Sequence, residues 1–409
     1  MPEEGDKRNE QGDPASSAES AEHQETAVDR GELAEKMPAE SAEQVLAEAE
    51  PKFFAAPKRV IQTLLAVVAL VIAIYVLFPK LIGLEGAFKT IGRADLTWIG
   101  VALLFNIGAF GAYVALFRGV VAEKVIQLKW SESYQITMAG LAATRIFSAG
   151  GAGGIFLTYW ALRKAGMERR VAAGRMVAFL VILYSVYMLA LIVFGVLLRT
   201  GVLPGGTTLA ATVIPAALAG AAILLVVLLA LLPGDLEGRI ERSLSGRVSK
   251  WAKRAASAPA TFAQGTRDAF ALAEDPRHAV LAFSGAIGFW AANIGILWAS
   301  FHAFDIHVPF GVIVQGFFIG MVANLFPFAP GGVGAVDAGM IGAFVLFGFP
   351  EEEVFAAVLT YRVIAFWLPI PPGIIAFFQL RKTTARWEAE GRSVPLPQPA
   401  AQPSGASSG

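Results

Sequence analysis

The sequence predicts an all-α, polytopic membrane protein of about six full spans plus two broken, re-entrant helix pairs arranged as an inverted repeat. Three observations carry this. The 409 residues are 55% hydrophobic and 16% charged, and charge-poor runs long enough to cross a hydrocarbon core recur along them. Two apolar stretches are each interrupted by Gly-Gly-x-Gly, at Gly150-Gly151-Ala152-Gly153 and Gly331-Gly332-Val333-Gly334. In lipid such irregular backbone survives only where protein or a wet cavity covers it. Finally, Lys and Arg divide unevenly between loops, which orients the spans.

The chain opens on an acidic stretch. Residues 1–50 hold 15 Asp/Glu against 4 Lys/Arg, a net of −11, so residues 1–51 read as a disordered tail. A basic start and an early apolar core are missing from it, so it is not a signal peptide. The transmembrane domain is expected over 52–382, and the Pro/Ser/Gly-rich remainder, 383–409, as a second disordered tail.

Val60–Phe78 is the first span, preceded by Lys52, Lys58 and Arg59; Leu96–Phe117 is the second. Ser131–Phe147 and Gly150–Leu162 are each short for a span and read as half-helices meeting at the glycines, with one kinked span or two tilted spans as alternatives. Val171–Leu198 and Leu209–Leu232 are full spans. The hydrophilic segment 235–277 follows, where Leu236, Ile240, Leu244, Val248, Trp251 and Ala255 recur at helical spacing between basic residues. This fits an amphipathic helix on the cytoplasmic leaflet, or one packed on the protein's own cytoplasmic ends. Ala279–Phe301 is a span, Val308–Pro327 and Val333–Gly348 form the second broken pair, and Val354–Leu380 is the final span.

The arginines and lysines of 235–277, together with Arg163, Lys164, Arg169, Arg170, Arg381 and Lys382, place those segments and both termini in the cytoplasm. The loop 304–307 and Glu351-Glu352-Glu353 lack basic residues and suit the outside. The first broken pair then enters from the cytoplasm and the second from outside. An arginine follows each glycine turn at a similar distance, Arg175 at 22 residues after Gly153 and Arg362 at 28 after Gly334.

Composition excludes several function classes. The net charge is zero, which gives no reason to expect nucleic acid. There is no cysteine, hence no thiol chemistry, disulfide or Cys-based metal site. His302 and His307 read as interfacial residues, Asn106 and Asn293 as interhelical hydrogen-bonding residues, and Gly108, Gly111 and Gly140 as helix-packing glycines. No Gly-Lys-Ser/Thr follows the glycines, so there is no nucleotide P-loop. Paired carboxylates, a nucleophilic triad and metal-ligand spacing are all missing, so no enzyme is expected.

The ionisable residues inside apolar runs are Arg145, Arg175, Asp337 and Arg362. A charge at membrane depth is expensive and faces a cavity or a partner. Asp337 is expected to neutralise Arg145 or Arg362 and hold the repeats together. Three arginines against one aspartate also leave excess positive charge for an anion, with the helix N-termini after the glycine turns adding donors.

The run Pro330-Gly-Gly-Val-Gly-Ala-Val-Asp337, then Tyr361-Arg362, then Trp367-Leu-Pro with Gly373, resembles the transmembrane region of the lysylphosphatidylglycerol synthase/flippase proteins. Arg145, its glycine turn and Arg175 match the family's first half more loosely, and the likeness spans roughly residues 58–382. The family usually carries Glu where this chain has Asp337. The bifunctional members carry a soluble aminoacyl-transferase domain where this chain has a short tail, so the resemblance implies the lipid-translocating half alone.

The expected function is movement of an anionic phospholipid or a polyprenyl-phosphate-linked lipid between leaflets of the cytoplasmic membrane. The expected site is Arg145, Arg175, Gly151, Gly153, Asn324, Pro330, Gly331, Gly332, Gly334, Asp337, Tyr361 and Arg362. The partner is a phosphate-bearing membrane lipid, with no cofactor, no metal and no nucleic acid; oligomeric state is open, a homodimer included. The alternatives are an accessory protein of envelope glycolipid synthesis that binds a lipid carrier without moving it, and a small-solute transporter.

Overall fold

The structure is a computed structural model that describes residues 93–121, 126–146, 152–206, 208–231, 263, 265–272, 275–322 and 334–391. Among them it is all helical: α1 Leu96–Val121, α2 Trp130–Ile146, α3 Ala152–Lys164, α4 Arg169–Arg199, α5 Leu209–Ala230, α6 Pro276–His302, α7 Phe310–Val322, α8 Ala335–Leu346, α9 Glu351–Arg362, a π-helical turn Val363–Trp367, and α10 Ile370–Ala389. Five are long and apolar enough to cross a membrane, counting α9 to α10 as one of 39 residues. The expected first span, Val60–Phe78, and the amphipathic stretch from Leu236 to Ala255 lie outside the described residues. The short helical stretch 265–272 packs on α4, where a Cβ on Gly265 would stand 2.4 Å from Val177 Cβ.

The two short pairs are each antiparallel. In the first, Gly140 faces Thr158 and Gly154 faces Thr144, so α2 and α3 run antiparallel. Both ends return to one level, because Arg386 bonds Glu132 at the start of α2 while Glu388 of the same helical turn pairs with Lys164 at the end of α3. In the second, Gly316 faces Phe344 and Gly320 faces Met340. Its open end lies on the opposite side: Gly205 packs on Val312, Gly311 on Leu203, and Gly206 near Phe347.

The frame between them is α1 against α6, antiparallel in constant register. Gly119 faces Ala282, Gly285 faces Leu116, Gly295 faces Phe105, and Trp98 meets Trp298 edge to face and His302 at a tilt. A Cβ on Gly285 would lie 2.4 Å from Leu116 N, and one on Gly119 2.5 Å from Ala282 N. Backbone therefore packs on backbone, the small-residue solution to helix association in lipid. Gly285→Val is expected to force the pair apart and cost several kcal/mol, by the scale of severe core overpacking; SDS-induced unfolding in mixed micelles measures it, with Gly342→Ala, which meets nothing within 4 Å, as control. Gly140 packs as expected. Gly108 and Gly111 do not: they are exposed, and a Cβ on either would meet nothing within 4 Å.

The helix contacts fall into corresponding pairs. α2 with α3 matches α7 with α8, α1 with α4 matches α6 with α9, and α2 with α10 matches α7 with α4. The two halves are thus the inverted repeat the sequence predicts. One boundary differs. The final helix runs to Ala389 rather than ending at 382, because Trp387 is fully buried and donates its indole N–H to Glu132 Oε1 at 3.2 Å. Residues 383–389 thus belong to the membrane domain rather than the tail, and their polar groups suit a polar partner on α2.

Candidate functional site

Two of the expected charges form an ion pair. Arg362 Nε lies 2.6 Å from Asp337 Oδ1, and the side chains are 5% and 10% exposed. Asp337 also holds its own helix start. Gly334, at φ +82°, is the N-cap of α8, and its backbone N–H donates to Asp337 Oδ2 at 2.9 Å. The carboxylate therefore performs half of a capping box, and the left-handed turn before it favours glycine.

Arg145 comes to the same place from the other hairpin. Its Nη2 donates to the Ala365 carbonyl at 2.9 Å. In an α-helical register the donor to that carbonyl would be the N–H of residue 369, which is proline and has none. The same device recurs where Pro215 frees the Ala211 carbonyl and Gln315 Nε2 of α7 donates to it at 2.9 Å. Both cations lie over the Phe366 ring, with Arg362 Cζ 4.5 Å and Arg145 Cζ 5.4 Å from its centre. The guanidinium carbons are therefore within about 10 Å of each other, close enough for cation–π contact with one ring.

Arg145 has no carboxylate partner among the described residues, and its Nη1 is out of solvent without a hydrogen bond. The titratable groups that act on it are Tyr361, Arg362 and Tyr113. Among the described residues, two guanidinium groups stand against one carboxylate here. At 1.5 Å per residue Arg362 is about 16 Å along α9 from Glu351, and Arg145 about 22 Å along α2 from Trp130. The cluster thus lies deep between the two sides.

Tyr361 is buried beside the pair, its hydroxyl 3.5 Å from Asn293 Oδ1 and its ring 5.8 Å from Phe317. Arg175 is not in the cluster. Its Nη1 makes a long 3.4 Å contact with the Val120 carbonyl, at the far end of α1. Val120 is level with Leu281 of α6, about 18 Å along that helix from Asn293. Gly153 is the second residue of α3 and Gly334 the N-cap of α8. Gly151, Asn324, Pro330, Gly331 and Gly332 lie outside the described residues. Sequence reasoning missed Tyr113, Phe366 and the Ala365 carbonyl. Only the carbonyl had a signal, the proline four residues on.

These features define a class: a multi-pass, all-helical membrane protein with an inverted repeat and a cationic cluster between its two hairpins. The chain belongs to the family described as the lysylphosphatidylglycerol synthase TM region, which matches residues 63–373. It is similar to phosphatidylglycerol lysyltransferase of Staphylococcus haemolyticus (strain JCSC1435), 33% identical over 81 residues, 20% of this chain and 10% of the relative. The protein of that name from Staphylococcus aureus (strain MRSA252) is 31% identical over 108 residues, 26% of this chain and 13% of the relative. The alignments thus span about a tenth of those relatives' length.

Proposed function

We propose that this protein moves an anionic, phosphate-bearing lipid between the leaflets of the cytoplasmic membrane, and that the phosphate is held by Arg145 and Arg362. One observation carries the reading: two guanidinium groups from oppositely entering hairpin systems face one aromatic ring, and one of the two is paired with Asp337. Excess positive charge in a low-dielectric interior favours an anion, and paired guanidiniums suit phosphate oxygens. The names of the similar proteins, which point to a phosphatidylglycerol substrate for those proteins, support a lipid of that kind here. Arg175, far from the cluster, has no part in this site. No covalent chemistry on the lipid belongs to this reading.

The test is transport by the purified chain in proteoliposomes. Fluorescent phosphatidylglycerol in the inner leaflet becomes reachable by an external quencher faster than in protein-free vesicles. Equal rates overturn the reading, and lysyl-lipid formed from charged tRNA overturns its non-enzymatic part.

The orientation is proposed from the same side that carries Arg118, Lys129, Arg163, Lys164, Arg169 and Arg386, against Arg93 and Arg199 on the other. That basic side is cytoplasmic by the positive-inside rule, the C-terminus with it, and the N-terminus through the expected span Val60–Phe78. Since the chain has no cysteine, Gly5→Cys, Ser257→Cys and Ser404→Cys give single labels. All three are expected to resist an impermeant maleimide outside intact cells; external labelling of Ser257→Cys reverses the orientation.

A further inference from the structure

The last span is two helices, and its halves belong to different parts of the molecule. α9 packs on α6 and α8, and its Arg362 pairs with Asp337 of α8. α10 packs on the first hairpin. A Cβ on Gly373 would stand 2.8 Å from the Met138 carbonyl. Thr383 Oγ1 donates to Gln135 Oε1 at 2.8 Å, Arg386 reaches Glu132 at 3.0 Å, and Glu388 pairs with Lys164. Between the halves lies the π-helical turn, closed by the Leu368 N–H donating to Val363 O, then Pro369. Wide turns of this kind and prolines are where helices bend.

The cationic cluster straddles this joint. Arg362 and Asp337 are on the α9 side, Arg145 is on the hairpin that carries α10, and Arg145 is bonded to the joint itself through Ala365 O. Resting on the phosphate reading above, we infer that the joint is a hinge and that the Arg145 bond to the proline-freed carbonyl is its latch. A phosphate drawn to the cluster offers Arg145 a charged acceptor in place of a neutral one, and charge-assisted hydrogen bonds are the stronger. The Ala365 carbonyl then loses its donor. That frees the joint to bend, and α2, α3 and α10 swing together against α9 and α6. Occupancy of the site is thereby coupled to opening toward one side.

The experiment places spin labels at exposed Val280→Cys on α6 and Ala385→Cys on α10 and measures their separation in maltoside micelles. Dihexanoyl phosphatidylglycerol is the probe and dihexanoylglycerol the phosphate-free control; calorimetry follows binding. The separation is expected to shift with the phosphatidylglycerol alone. Pro369→Ala returns the N–H that Ala365 O lacks, so it is expected to bind the probe without the shift, while Pro372→Ala behaves as the parent. Arg145→Ala removes the latch and is expected to show the shifted separation before any lipid is added. Binding to the parent without a shift overturns the hinge and leaves the phosphate site standing, as does a Pro369→Ala variant that shifts like the parent. No binding to the parent overturns both.

Discussion

Asp337→Asn is expected to cost about 3 kcal/mol or more of folding stability, the scale for removing one partner of a buried ion pair. The asparagine is nearly isosteric and its oxygen can still accept the Gly334 N–H, so the N-cap of α8 survives. What is lost is the charge facing Arg362 at 2.6 Å in a setting where both side chains are at most a tenth exposed. Asp337→Ala removes the cap as well and is expected to cost about 1 kcal/mol beyond the asparagine change. Removing both charges, Asp337→Asn with Arg362→Met, is expected to regain much of the loss, since a neutral pair of similar volume leaves no uncompensated charge. SDS-induced unfolding of Asp337→Asn, Arg362→Met and the double variant in mixed micelles measures the coupling as a double-mutant cycle. Additive losses would mean that the pair is not the structural tie between α8 and α9.

Arg145→Gln is expected to do the reverse, leaving the fold nearly intact and abolishing most transport. Its hydrogen bond is a single contact to a carbonyl, and glutamine can donate an N–H there too. The cost to stability is therefore expected to stay near that of one hydrogen bond, about 1 kcal/mol. Among the described residues, however, the cluster is left with one guanidinium against one carboxylate. Truncating one member of a desolvated charge pair typically costs about 2–5 kcal/mol of binding, or about thirtyfold or more in affinity. In the proteoliposome assay the lipid concentration giving half-maximal rate is expected to rise by that factor, with an unfolding midpoint close to the parent's. Normal transport by Arg145→Gln would move the anion site elsewhere.

Much of this arrangement was legible in the sequence, for identifiable reasons. Gly-Gly-x-Gly between short apolar runs marks a break that lipid does not tolerate uncovered, so both hairpins and their opposite directions could be read. The meeting of Asp337 and Arg362 followed from the cost of charge at depth. Arg175 was drawn toward the site because its distance from a glycine turn resembles that of Arg362, yet spacing along a chain does not fix height. Helix α4 begins close to the basic side and α9 near the other, so the two arginines come to rest far apart. The packing glycines were misassigned for a related reason: Gly108 and Gly111 have the same composition as Gly285 and Gly295 but the other helix face. The Pro369 signal names a carbonyl in need of a donor. Which donor arrives, 220 residues away at Arg145, depends on tertiary packing alone.

The seam between α1 and α6 has a mechanical consequence. Where backbone meets backbone there is no layer of side chains that can change rotamer, so the contact has few alternative arrangements and little give. Stiffness in this molecule is therefore unevenly spread. The central pair behaves as a beam, and compliance is displaced to segments whose hydrogen bonding is already irregular. A bilayer that thickens or thins around the protein would load those softer segments first and leave the beam's length and register unchanged.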